Sequence, residues 1–279
     1  MSRASTLLCA LAGAAIGAAA ARAAYTFATR REGKDSVWNR TNHRGEQLTL
    51  LEGPALVAGA ATGVLAAPGL PGRVRLAGLL AAGGSGALGC YDDLYGTTAS
   101  KGFKGHLGAL AKGEVTSGAV KILGIGATGL AAAALVSRGP VDSLVNGALV
   151  AGSANLANLF DLRPGRAIKV GLLTGGPLLA LSVLRDRPAA AVLASVPLGA
   201  AAALLPEDLG ERAMLGDGGA NALGALLGLA AATQLGRPGR LVLLGTVVAL
   251  TAASEKISFT KVIAGNRVLN RIDLLGRRA

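Results

Sequence analysis

Four groups of polar residues stand where the apolar runs of this chain end. Asp92 and Asp93 close one run in "GCYDDLYG", and Lys101, Lys104 and His106 follow in "SKGFKGHLG". Asn155, Asn158 and Asp161 close another in "NLANLFD", and Asp217 opens a third in "MLGDGGANALG". A carboxylate at a membrane boundary is costly unless it is hydrated, paired or bound to a metal. One or two Asp carboxylates together with substrate phosphates are the usual arrangement around Mg2+, so carboxylates converging on one face point to a hard-cation site. Each group has a second reading. Asp92–Asp93 also reads as a solvated helix end, Asp161 as the partner of Arg163 or Arg166, and Asp217 as the N-cap of a helix. Asn155, Asn158 and Asp161 recur every three residues, and a polar stripe inside an apolar helix does not belong against lipid. It is either glue between helices or the lining of a site.

The elements that must position these residues are helices in a membrane. The chain has 279 residues, 51% hydrophobic and 16% charged, with a mean hydropathy of +0.50. Repeated apolar stretches between short polar loops imply a polytopic membrane protein, and spanning backbone in lipid must be helical. The expectation is an all-α bundle of about nine spans. They fall at about 5–28, 50–68, 74–91, 117–136, 142–160, 168–184, 188–205, 218–236 and 240–255. Residues 1–279 form one integral-membrane domain, with 254–279 a basic tail lying along the cytoplasmic surface; Val262, Leu269, Ile272 and Leu275 are its apolar side. A net charge of +12 raises nucleic acid as a partner, but the basic residues sit in short loops between apolar runs, where topology and lipid headgroups account for them.

The first run resembles a signal peptide in having an Arg, an apolar stretch and a small-residue end. Charge counting favours its retention. With the N-terminus outside, eighteen Lys and Arg fall in loops on one side and eight on the other, which places the eighteen and the C-terminus in the cytoplasm. Of the 16 acidic residues, Asp142 and Asp186 alone fall in outside loops. Gly13 with Gly17, Gly59 with Gly63 and Gly224 with Gly228 are small-xxx-small pairs that let helices approach closely. Cys9 and Cys90 lie in apolar segments and imply no disulfide framework.

Four motifs in this order, "YDDLYG", "KGFKGHLGAL", "NLANLFD" and "GDGGANALGALLG", resemble those of the polyprenyl-phosphate N-acetylhexosamine-1-phosphate transferase family, which includes the phospho-MurNAc-pentapeptide translocase. The resemblance covers roughly residues 40–235. It implies transfer of a sugar-1-phosphate from a UDP-sugar to polyprenyl phosphate at the inner face of the plasma membrane, in cell-wall glycopolymer biogenesis. It also implies Mg2+ as cofactor, with Mn2+ able to stand in. On this resemblance Asp217 is the metal ligand, and Asp92, Asp93 and Asp161 are the catalytic carboxylates. Lys101, Asn155, Asn158, Lys121 and His106 bind substrate, and a homodimer is left open. The chain departs from the family in having "SEKISFTKVIAGNRVLN" where a His-rich motif is expected, and Leu162-Arg163-Pro164-Gly165 where a second Asp is expected. The rival readings are an impaired homologue serving as an envelope scaffold and a small transporter. Transporter sites lie near the midplane, whereas these acids gather at one face.

Overall fold

The computed structural model describes residues 2–33, 36–42, 44–96 and 116–278. Helix α1 is Arg3–Arg31, and a hairpin of β1 (Asn39–Thr41) and β2 (Gln47–Thr49) follows it. Then come α2 (Glu52–Ala66), α3 (Gly72–Leu79), a π-helical turn at Leu80–Gly84 and α4 (Ser85–Tyr95). Next are α5 (Ser117–Val136), α6 (Pro140–Phe160), α7 (Arg166–Leu184) and α8 (Pro188–Leu209). The chain ends with α9 (Gly216–Gln234), α10 (Arg237–Ser254), α11 (Phe259–Gly265) and α12 (Arg267–Leu274).

The helical expectation holds, with a helix in each of the nine apolar runs. By length and apolar composition, α1, α5, α7 and α8 can each cross a membrane. The α10–α11 pair, bent by 96°, makes a fifth if it counts as one span. The hairpin is an addition to the all-α expectation. The Asn42 side-chain oxygen accepts from the N–H groups of Arg44 and Glu46, each at 2.9 Å, and Gly45 takes φ +81°, so the short "TNHRGEQ" stretch turns instead of continuing α1. Thr49 bridges to Ala213, and Asn42 donates to Glu211 at 2.9 Å, tying the hairpin to the α8–α9 turn.

Local sequence sets the helix ends. Thr116 caps α5 by accepting from Ala119 N–H at 3.1 Å. Pro stands in the first turn of α6, α8 and α10, where its missing N–H costs nothing. The small-residue pairs do the packing expected of them. Gly13 and Gly17 of α1 and Gly63 of α2 all lie against Val196 of α8, while Gly224 and Gly228 of α9 lie against Ser153 and Leu149 of α6. Helix α9 is the centre of the molecule: Leu223, Leu226 and Leu229 are fully buried. Both cysteines are free thiols.

Candidate active site

The site forms where α4, α5 and α9 meet. Gly89 of α4 lies directly on the backbone of Asp217, and a Cβ there would overlap the Asp217 carbonyl; Gly218 in turn lies on Cys90. This glycine contact, one turn before the aspartate pair, delivers Asp92 and Asp93 to the first turn of α9. The Lys121 ammonium then bridges from α5. It contacts Asp217 Oδ2 directly and lies 3.4 Å from Asp92 Oδ2. The Asp92 side chain is also in hydrogen-bond contact with Asp217 and Ser117. Two carboxylates this close need a cation or a shared proton between them, and here the cation is Lys121.

The two aspartates of the pair have different jobs. Asp93 accepts from Asp217 N–H at 3.0 Å and Gly218 N–H at 2.9 Å, while Lys121 pairs with Asp92 and Asp217. It therefore caps α9 from a neighbouring helix, a role the residue at the cap position, Leu215, cannot fill. Arg40 of β1 donates to the Asp93 carbonyl and fixes the end of α4. The N-cap reading of Asp217 is thereby corrected. Asp217 lies inside the first turn, and its own N–H is taken by Asp93, so the free side chain of Asp217 is left for Lys121.

The Asn-x-x-Asn-x-x-Asp stripe is split by the structure. Asn155 lines a cavity of about 550 Å3 together with Lys121 and Asn221. Asn158 is half-buried and makes no side-chain hydrogen bond among the described residues. Asp161 follows the last turn of α6 and is buried, with Oδ2 unpartnered. Its pairing with Arg166 is overturned: Arg166 donates to both Asp273 oxygens, at 2.8 and 3.0 Å, and so holds α12 against the start of α7. Burial first, and the neighbouring Asp208 carboxylate second, push the Asp161 carboxyl well above the usual carboxylate range, while the Gly216 N–H opposes them. Lys101 and His106 lie outside the described residues, as does His43.

Lys121, which the resemblance names as a substrate-binding residue, is central in space, and three further residues of this region had no part in that reading. Asn221 is fully buried one turn after Asp217, and neither of its amide atoms has a partner. Glu52 is fully buried with both oxygens unpartnered, and Asp208 has one unpartnered oxygen while the other accepts from Gly165 N–H at 2.8 Å. An ionisable residue inside an apolar run is a functional signal in its own right; Glu52 in "LLEGPALV" carried that signal, and Asn221, four residues after Asp217, carried the helical spacing.

Of the Asp92–Lys121–Asp217 cluster, Lys121 lines the 550 Å3 cavity. Its walls are Ile122 and Ile125 of α5 and Leu244, Val247 and Val248 of α10, and Glu255 and Lys256 stand at its edge. Two further orphaned groups face the same region, the Asn221 amide and the Thr251 hydroxyl.

Compared with models of known protein families and with curated proteins, the chain matches none.

The chemistry of the site therefore rests on its own groups. Among the described residues, no three His, Cys, Asp or Glu side chains gather closely enough to hold a metal ion by themselves. Asp92 and Asp217 both offer only oxygen, and the position between them is taken by the Lys121 ammonium, which a metal ion held there would have to displace. That donor set fits Mg2+ held by one or two carboxylates with the rest of its shell from phosphate and water.

Proposed function

We propose that this protein is a membrane glycosyl-1-phosphate transferase, moving a sugar-1-phosphate from a UDP-sugar, an N-acetylhexosamine in the resemblance, to polyprenyl phosphate. One observation carries the reading. The Asp92–Lys121–Asp217 cluster reaches an apolar cavity through Lys121, and Asn221, whose amide has no partner, lines the same cavity. A charged cluster at the head of an apolar groove suits a lipid phosphate, with the isoprenoid chain between α5 and α10 and the phosphate at Lys121.

The reaction needs positioning and charge stabilisation more than covalent chemistry. An oxygen of the lipid phosphate attacks the phosphorus of the sugar phosphate. The bond from that phosphorus to the bridging oxygen breaks, and UMP leaves with that oxygen and its electron pair. A phosphate monoester is already largely dianionic at neutral pH, so Asp92 serves to place it and not to deprotonate it. Lys121 balances the gathering negative charge. Asn155 and Asn221 donate and accept from the cavity wall. Asp217 and Asp92 would hold Mg2+, which would neutralise charge on the diphosphate and on the departing UMP. Asp161 and Asn158 face the nucleotide side in this reading, and Lys101 and His106 contribute to phosphate binding from segment 97–115. The remaining elements of the proposal are nine spans, an outside N-terminus, a cytoplasmic active site in the plasma membrane, and a place in cell-wall glycopolymer synthesis.

The test is purified protein in detergent with polyprenyl phosphate, Mg2+ and a panel of UDP-sugars. Lipid-linked sugar diphosphate formed together with UMP supports the reading. A folded protein that makes no product with any donor would favour the scaffold homologue.

A further inference from the structure

The other end of the bundle holds a second cavity, of about 770 Å3, where the turns α2–α3, α5–α6, α7–α8 and α9–α10 meet. It lies at the opposite helix ends from Asp92, Asp161 and Asp217. Five arginines line it, Arg73, Arg138, Arg187, Arg237 and Arg240, against one carboxylate, Asp142. These five are most of the eight basic residues that charge counting assigns to this side, so their convergence is a local feature and not a general surplus.

The single carboxylate is already committed. Asp142 Oδ1 lies 3.3 Å from Arg237 and 3.3 Å from Arg240. Arg240 also donates to Asn146 Oδ1 at 2.8 Å, and Asn146 donates to Ser137 Oγ at 2.8 Å. The guanidinium groups of Arg73, Arg138 and Arg187 have no hydrogen bond or ion pair among the described residues. Two buried polar atoms are also left over: Arg240 Nε, a donor, and Gln234 Oε1, an acceptor, on a glutamine only 6% exposed. The unpartnered buried Arg240 N–H is costly, and the other four arginines, though exposed, gather like charge beside it. An oxyanion of two or more charges relieves both. Guanidinium forks match phosphate oxygens in pairs, and a carboxylate would neutralise too little of the charge.

We propose that this cavity is a phosphate-binding site, taking the phosphate of an anionic lipid headgroup or of a soluble phosphate or diphosphate. It is separate from the Asp217 cluster and does not depend on the transferase reading.

The experiment uses the full chain in phosphatidylcholine nanodiscs. One arm titrates inorganic pyrophosphate by calorimetry. The other includes phosphatidate in the nanodisc and counts retained lipid by native mass spectrometry. The expected result is one bound phosphate-bearing ligand per chain, weakened about tenfold or more in the Arg138→Gln/Arg187→Gln double variant, a change of about 1.4 kcal/mol or more. Asp142→Asn, which frees Arg237 and Arg240, is expected to tighten binding severalfold. Pyrophosphate binding with these responses identifies a soluble anion; retention of phosphatidate alone, with the same responses, identifies a headgroup. If wild type takes neither ligand, or both variants bind as wild type does, the proposal fails. Should the double variant not fold, Asp142→Asn decides alone, and unchanged or weaker binding overturns the site.

Discussion

Asp92 and Asp93 are neighbours in sequence, and their replacement is expected to damage the protein in different ways. Asp93 accepts the N–H groups of Asp217 and Gly218, at 3.0 and 2.9 Å, and both donors belong to the first turn of α9, which has no other partner for them. A hydrogen bond to a charged group contributes about 1.5–3 kcal/mol. Asp93→Ala strands two donors, but water reaches this partly exposed site, so the lower end applies and the expected cost is about 3 kcal/mol. Asp92 makes a 3.4 Å ion pair with Lys121. Its loss is offset by relief of repulsion from Asp217, so Asp92→Asn should cost less than about 1 kcal/mol. The assay is thermal unfolding in detergent, followed through Trp38, the one tryptophan, which packs against the core cluster that includes Tyr25, Leu51 and Leu56. For a chain of this size about 2–4 °C accompanies each kcal/mol. Asp93→Ala should therefore lower the apparent Tm by about 6–12 °C, and Asp92→Asn by less than about 4 °C. Turnover should show the reverse contrast, with Asp92→Asn losing about 10²-fold while remaining folded. Equal falls in Tm for the two variants, or no fall for Asp93→Ala, would refute the cap.

Lys121→Met removes the ammonium between Asp92 and Asp217 and should lower turnover by about 10²-fold or more, read as UMP release, with raised Mg2+ only partly restoring it. Gly89→Val should abolish accumulation of folded protein, read by size-exclusion profile, because the side chain meets the Asp217 backbone. The C-terminal tail should respond to acid. Burial works to raise the Asp273 carboxyl, but the Arg166 fork and the nearby Arg277 outweigh it and hold the group below its ordinary value of 3.8. A carboxyl depressed in the folded state stabilises above its unfolded value and loses that contribution as pH falls through the folded one. Pepsin should thus release the tail steeply below about pH 4, whereas Asp273→Ala should free it for trypsin at neutral pH. In a cysteine-free background, an impermeant thiol reagent applied outside should label Gly139→Cys and spare Gly33→Cys; the opposite pattern would reverse the proposed orientation.

The helices were legible because lipid leaves the backbone no alternative, and apolar length alone marks them. The π-turn at Leu80–Gly84 and the hairpin at 39–49 were not, since both arise from local geometry in short stretches that composition does not distinguish. Among the site residues, Asp92, Asp93 and Asp217 were visible as charges at the ends of apolar runs. That neighbours about 100° apart on a helix end differ in role was legible too, but which one caps α9 and which meets Lys121 was not, because it depends on the Gly89 contact between α4 and α9. Lys121 sits inside a span and read as a lesser candidate; only the packing of α5 brings it between two carboxylates. The arginines of the opposite cavity belong to four turns far apart in sequence, and no motif spacing could have joined them.

The central claim is that the Asp92–Lys121–Asp217 cluster transfers a sugar phosphate to a lipid. Its most direct test is the rate of UMP release by wild type and Asp217→Asn across a Mg2+ titration, with polyprenyl phosphate present and absent. The account predicts release that requires both the lipid phosphate and Mg2+, and a fall of about 10²-fold or more in Asp217→Asn with the variant still folded. Release that ignores the lipid, or an Asp217→Asn variant with wild-type rate and metal requirement, would contradict it.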